Sequence, residues 1–187
     1  MRDTVAARGL AFEELDEDRA VTPGCLSAVQ RLQRGGRLSR RELLCHAAAR
    51  GGHLKELKVL RADDCPWDED TCTSAAMGGH LEVLQWARAN GCPWDEKTCA
   101  EAAFRGYLEM LQWAHANGFP WHGFTCRNAA KGGHLEMLQW LHENGCRLYE
   151  GTCRGAVEGG HFEVLQWLRE IGCPWDEDTC TYATKGG

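Results

Sequence analysis

The chain has 187 residues and a formal net charge of −6, with 43% hydrophobic residues, 22 glycines and 11 cysteines. No apolar run approaches the roughly 20 residues of a membrane span, so the sequence predicts no membrane association. The first residues are charged throughout and show no secretory signal, which indicates an intracellular protein, cytoplasmic or nuclear, with reduced thiols. The odd number of cysteines agrees, since it excludes complete pairing.

Charge is distributed unevenly along the chain. Residues 1–24 hold three arginines against six acids, and we predict a charged N-terminal arm there, with disorder as one interpretation. Residues 25–61 hold nine lysines and arginines against two acids, whereas residues 62–187 hold nine against nineteen. A basic segment therefore precedes an acidic body.

A unit of 27 residues recurs through the chain, most plainly as GGHLEVLQWARANGCPWDEKTC from Gly78 to Cys99. A cysteine returns at this spacing six times, at Cys45, Cys72, Cys99, Cys126, Cys153 and Cys180. A period of this size predicts a solenoid in which each unit buries its apolar face against its neighbours. A residue that recurs in every unit is then expected to serve the scaffold.

Each unit contains the signals for two short helices, which we call helix A and helix B. In the second unit Asp68 is predicted to cap helix A, and Gly78 with Gly79 to reverse the chain. Helix B follows as HLEVLQWARA, and Asn90 with Gly91 is predicted to end it. The connector CPWD then leads to the next cap without room for a long strand pair.

The sequence therefore predicts an all-α solenoid of stacked antiparallel helix-turn-helix repeats over residues 25–187. Residues 25–40 form a degenerate basic cap, and residues 41–175 form five helix pairs, whose first helices begin at Arg41, Asp68, Asp95, His122 and Tyr149. Residues 176–187 read as a truncated half repeat without a following helix B. We expect either a fragment of a longer array or an uncapped end through which the chain self-associates.

The segments GGHLEVLQW and TCxxAAxxGH resemble the ankyrin repeat over roughly residues 25–187. The likeness extends to the divergent, tryptophan-rich ankyrin arrays of protists and large viruses. It implies stacked helix pairs that bind other proteins. The usual ankyrin period is about 33 residues, and the connector GCPWDEDT here lacks the residues for a β-hairpin finger, so long fingers are not expected.

The cysteines and histidines invite chemical interpretations that the repetition argues against. Cysteines spaced C-x6-C, as in Cys65 and Cys72, suggest a metal, but Phe119 occupies the first position of this pair in one unit. We interpret the cysteines as small buried apolar residues and predict no metal and no cofactor. The recurring histidines, such as His80 and His134, are interpreted as turn residues that bond to a neighbouring turn, and no enzymatic activity or small-molecule substrate is expected.

Helix A carries a set of positions whose identity changes from unit to unit, opposite its stripe of cysteine and alanine. Equivalent positions hold, for example, Thr73, Arg127 and Arg154, or Ser74, Asn128 and Gly155, or Phe104, Lys131 and Glu158. A regular scaffold with an irregular face is typical of repeat proteins that bind partners. The helix B tryptophans are interpreted as interlocking core and the connector tryptophans as partly exposed contact residues. The predicted partner-binding residues are Phe104, Phe124, Arg127, Asn128, Lys131, Arg154, Trp94 and Trp121.

These observations predict a non-enzymatic scaffold or adaptor that binds one or more proteins through the helix A face and the connectors. One alternative is a nucleic-acid-associated adaptor that uses the basic segment 25–61, although the acidic body argues against nucleic acid. A second alternative is a module that responds to thiols or metals.

Overall fold

The computed structural model describes residues 26–36, 40–119 and 122–175. These residues form eleven α-helices and no strand, which confirms the predicted all-α class and the absence of β-hairpin fingers within the described part. The chain divides into two compact units, Met1–Pro93 and Trp94–Gly187. The predicted arm at residues 1–24 and the predicted half repeat at residues 176–187 lie outside the described residues.

Unit 1 contains one single helix followed by two helix pairs. The helices are α1 (Leu26–Arg34), α2 (Glu42–Arg50), α3 (Leu54–Ala62), α4 (Glu69–Gly78) and α5 (Leu81–Ala89). Helix α2 packs against α1 on one side and α4 on the other, while α3 and α5 each pack against the helix A that precedes them.

Unit 2 repeats the same pairing three times. Its helices are α6 (Glu96–Arg105), α7 (Leu108–Ala116), α8 (Gly123–Gly132), α9 (Leu135–Glu143), α10 (Glu150–Gly159) and α11 (Phe162–Glu170). The helices A stack side by side in the order α6, α8, α10, and each helix B packs against its own helix A.

Small residues allow the helices A of unit 2 to approach closely. On α8, Cys126, Ala129 and Ala130 are fully buried. A Cβ atom added at Gly155 of α10 would collide with the carbonyl oxygen of Arg127 on α8. The predicted stripe of cysteine and alanine is therefore the stacking surface, and larger side chains would force the helices apart.

The predicted turn chemistry is confirmed at the end of helix A. Gly79 and Gly106 follow α4 and α6 with φ of 76° and 81°, in the left-handed region that glycine adopts without steric cost. Asp95 caps α6 as predicted, since its carboxylate accepts from the backbone N–H of Lys97 at 3.1 Å. Asp68 makes no cap bond and instead lies 2.6 Å from His46 Nε2, because this histidine competes for the carboxylate.

Helix B contributes leucine, valine, methionine and alanine to the core, and the prediction that its tryptophans form the core is wrong. Leu111, Leu138 and Leu168 are fully buried, whereas Trp113 and Trp140 are only half-buried. Each of these tryptophans follows a core leucine by two residues, which is about 200° around a helix. The rings therefore point away from helix A and cover the outer edge of the repeat.

Candidate interaction surface

Three charged side chains meet on the helix A face of unit 2. Arg127 on α8 donates two hydrogen bonds to Glu158 on α10, at 2.9 and 3.2 Å. The Nζ of Lys131, one turn further along α8, lies 3.0 Å from the same carboxylate. Two cations thus converge on one acid across adjacent repeats, and the cluster carries a net positive charge.

Protonation of Glu158 is suppressed by these neighbours. Partial burial on its own would raise the pKa of this carboxyl group, but hydrogen bonds from Lys131 and Arg127 and their positive charge outweigh it and lower the pKa below its usual value. Glu158 therefore stays ionised and holds the two cationic side chains in place.

The remaining polar candidates surround Tyr149, which precedes α10. Burial raises the pKa of the Tyr149 hydroxyl, and the nearby guanidinium groups of Arg127 and Arg154 oppose this only in part. The ring lies against Gly123, where an added Cβ would come within 2.8 Å of it. Arg154 and Asn128 are both half-buried. The structure thus brings Arg127, Arg154 and Tyr149 together beside the ion cluster.

Two phenylalanines are exposed on this face. Phe124 is 54% exposed and Phe104 is 39% exposed. Phe124 lies in the first turn of α8 and Phe104 in the last turn of α6, so they stand at opposite ends of parallel helices, roughly 10 Å apart along the axis. They do not form one apolar patch. They flank the charged cluster instead, and we call Phe104, Phe124, Arg127, Lys131 and Glu158 the variable face.

Part of the predicted variable stripe is not exposed, and the expectation is wrong there. In unit 1, Thr73 and Ser74 are buried, as is Gly155 in unit 2. Short side chains at these positions do not reach past the stacked helices, whereas the longer Arg127 and Arg154 reach the surface. Side-chain length therefore decides which units present a variable residue to solvent.

The connector tryptophans pack edge-on against aromatic rings. The Trp94 ring lies 5.7 Å from Trp113 and 4.5 Å from Phe119, between ring centroids. In unit 1 the Trp67 ring lies 5.8 Å from Trp86. Trp94 is half-buried, in keeping with the predicted partial exposure. The predicted contact residue Trp121 lies outside the described residues.

The cysteines pair within four of the five described repeats, an arrangement that the C-x6-C spacing did not suggest. Cys126 and Cys146 form a disulfide, so the expectation that all thiols are reduced is wrong. In a second repeat Cys45 donates to Cys65, which in turn donates to the Arg41 carbonyl at 3.2 Å. Two further pairs, Cys72 with Cys92 and Cys153 with Cys173, are hydrogen-bonded and are also separated by 20 residues.

This pairing follows from the antiparallel helices. The first cysteine lies near the start of helix A and the second follows the end of helix B, so both stand at the same end of the pair. The C-x19-C spacing was the signal that sequence reasoning overlooked. In the repeat where Phe119 replaces the second cysteine, burial raises the pKa of Cys99 to about 12.

The histidines serve the turns, as predicted. His134 Nε2 donates to the Phe104 carbonyl at 3.0 Å, and its ring lies against Gly106. Among the described residues no three histidine, cysteine or acidic side chains are placed to hold a metal ion.

Several cations of the basic segment are used within unit 1. Arg61 stacks 4.2 Å over the Trp67 ring, and Lys58 lies 5.8 Å from the Trp86 ring centre. Arg34 in α1 donates from Nε to the Gln30 carbonyl at 3.4 Å. These contacts are structural. No helix in the described part of the chain is long and apolar enough to cross a membrane.

Stacked pairs of short helices with glycine turns define the chain as a helical-repeat protein. Residues 72–115 and 98–142 match the family described as ankyrin repeats in many copies. Over residues 72–142 the chain is therefore similar to ankyrin-repeat proteins. Ankyrin repeats are generally protein-interaction modules. No curated protein matches the chain.

A solved ankyrin repeat domain shows the same fold at low sequence identity, and two pentatricopeptide repeat structures give lower scores. The human ASB11 ankyrin repeat domain superposes with a TM-score of 0.59 and 19% identity, over 86% of this chain and 85% of that domain. The pentatricopeptide repeat protein PPR10 from maize gives 0.47 and 17%, over 91% of this chain and 31% of PPR10. PPR10 in complex with an 18-nt psaJ RNA element gives 0.48 and 14%, over 95% and 31%.

Proposed function

We propose that the chain is a non-catalytic scaffold whose variable face binds a partner protein. The observation that carries the proposal is the pair of exposed phenylalanines, Phe104 and Phe124, on either side of the Arg127, Lys131 and Glu158 cluster. Phenylalanine and arginine are enriched at protein interfaces, and an exposed aromatic ring stabilises a contact by losing water when the partner covers it.

The ion cluster supports the same function. Surface ion pairs stabilise a fold by only about 0 to 1 kcal/mol, so stability is a weak reason for three charges to converge here. Their positions are held by mutual contacts, and a pre-organised side chain loses less conformational entropy when a partner binds. The net positive charge of the cluster favours a partner with an acidic surface.

An intracellular location is part of the proposal. It is supported by the seven described cysteines that lie outside the Cys126–Cys146 disulfide, since buried thiols persist most readily in reducing compartments. The connectors, with Trp94, are proposed as the rim of the interface. Self-association through residues 176–187 stays a prediction.

The test is comparative capture from cells that express the tagged chain. Phe104→Ala with Phe124→Ala should abolish capture of proteins that the wild type retains. Both rings are partly covered, so a lower melting temperature is expected, and capture is compared at a temperature where circular dichroism shows that the variant is folded. The matched control is Phe162→Ala, which removes a 76% exposed phenylalanine from helix B. Equal capture by the double variant and the control would show that the variable face is not the site.

Charge reversal at Arg127 is a poor test of binding. Arg127→Glu would place a second carboxylate beside Glu158, where Arg127 now donates two hydrogen bonds. The variant would lose stability through repulsion as well as any partner contact. The phenylalanine pair avoids this confusion.

A further inference from the structure

The connector before α10 lacks both the proline and the tryptophan that the other connectors of unit 2 carry. Pro93 and Trp94 follow a cysteine in the connector before α6, whereas Arg147 and Leu148 stand at the same positions before α10. The Trp94 ring fills the space between its own connector and the next, where it contacts Trp113 and Phe119. Leu148 is smaller than an indole side chain and cannot fill the same space.

A cavity of about 590 Å³ lies at this place. It is lined by the two successive connectors, residues 145–148 and 171–174, together with His142. Cys173, one of the lining residues, corresponds to Phe119, against which the Trp94 ring packs. The cavity thus lies where another repeat of the same unit seats a tryptophan ring. Its volume falls in the range of ligand sites.

A second departure enlarges the apolar lining. Asn90, Asn117 and Asn144 each donate their side-chain amide to the carbonyl of the tryptophan four residues earlier, at 2.8 Å. Ile171 occupies the corresponding position after α11 and cannot donate this bond. Its side chain is 40% exposed and lines the cavity. A polar helix end has been replaced by an exposed apolar side chain at the cavity.

The connector before α10 is also less acidic than the connectors before α4 and α6. The connectors before α4 and α6 read Pro-Trp-Asp-Glu, whereas this one reads Arg-Leu-Tyr-Glu at residues 147–150. Arg147 is exposed and lines the cavity, and Tyr149 stands where the others carry aspartate. Glu143, Glu150 and Glu170 lie nearby in sequence, but none of the described residues that line the cavity carries a carboxylate. The lining therefore complements an acidic segment.

We propose that this cavity binds a tryptophan side chain of a partner protein, presented in a short segment that carries acidic residues after the tryptophan. The partner would supply in trans the ring and the carboxylates that the connectors before α4 and α6 supply in cis. The site is formed by the connectors and lies apart from the variable face, so its test is independent of the proposed function.

The probe is a fluorescein-labelled peptide with the sequence of Pro66–Thr71, Pro-Trp-Asp-Glu-Asp-Thr, titrated with the full chain and followed by fluorescence anisotropy. We expect saturable binding that is lost when alanine replaces the peptide's tryptophan. Leu148→Trp should weaken binding about tenfold or more, since the new ring occupies the cavity. Ile171→Asn should weaken binding several-fold and serves as a second variant if Leu148→Trp misfolds.

The matched control is Phe162→Trp, which also adds one indole but places it at the opposite end of α11 from the cavity. This variant should bind the peptide as the wild type does. Absence of saturable binding to the wild type, or equal binding by Leu148→Trp and Phe162→Trp, would overturn the proposal. Sedimentation adds one more outcome, because self-association that Leu148→Trp abolishes would show that a second copy is the occupant and would overturn the assignment to another protein.

Discussion

Removal of the Trp94 ring is expected to destabilise the protein more than removal of Trp113. Both rings are half-buried, and complete truncation of a buried tryptophan costs about 3 to 5 kcal/mol, so roughly 2 kcal/mol is expected from burial alone in each case. An edge-to-face aromatic pair contributes about 0.5 to 1.5 kcal/mol beyond burial. Trp94 makes two such contacts, with Trp113 and Phe119, so Trp94→Ala should cost about 3 to 5 kcal/mol.

The sequence alone predicts the reverse order, because a helix position suggests more burial than a connector position. Urea unfolding followed by far-ultraviolet circular dichroism measures both variants and the double variant. The double-mutant cycle should give a coupling of about 0.5 to 1.5 kcal/mol between Trp94 and Trp113. Trp94 with Trp167, two repeats further along the chain, is the control pair and should be additive. A larger loss for Trp113→Ala, or additivity of the first pair, would refute the argument.

The disulfide and the Glu158 cluster each carry a further prediction. Peptide mapping of alkylated, unreduced protein should recover Cys126 linked to Cys146. Cys99 should be alkylated, because Phe119 occupies the position of its partner. A fully alkylated Cys126 would contradict the disulfide. Glu158→Gln should lower stability by about 0.5 kcal/mol at neutral pH. The pKa of Glu158 is lower in the folded protein than in the unfolded chain, where it is about 4.3. The stabilisation by Glu158 is therefore complete above about pH 4.3 and is lost as the pH falls through the folded pKa. In strong acid the wild type and Glu158→Gln should unfold at the same urea concentration, and a remaining difference would contradict the argument.

The fold was predictable because it depends on features that recur. A 27-residue period, glycines after each helix A and small residues at fixed spacing are local signals, and each is repeated often enough to outweigh its exceptions. Asp68 shows where a local rule fails. Its position and type predict a helix cap, yet His46, 22 residues earlier, takes its carboxylate. Only the packed structure brings these two residues together.

The candidate site was predictable as a set of residues but not as a geometry. Phe104, Phe124, Arg127 and Lys131 were named from their variation between repeats. Glu158, which holds the two cations, was part of the same variable set but was not singled out, because its partners lie 27 and 31 residues earlier. Side-chain length decided exposure, and periodicity carries no information about length.

Departures from the repeat are more informative about function than the repeat itself. A residue that recurs in every unit is explained by stacking, since each unit meets the same neighbours. A departure that weakens the unit, such as the loss of the asparagine cap at Ile171, needs a separate reason. Such a loss is tolerated where the new side chain gains a contact that the isolated chain does not contain. Arg147, Leu148 and Ile171 all depart from the repeat and all line one cavity, so we interpret the three changes together.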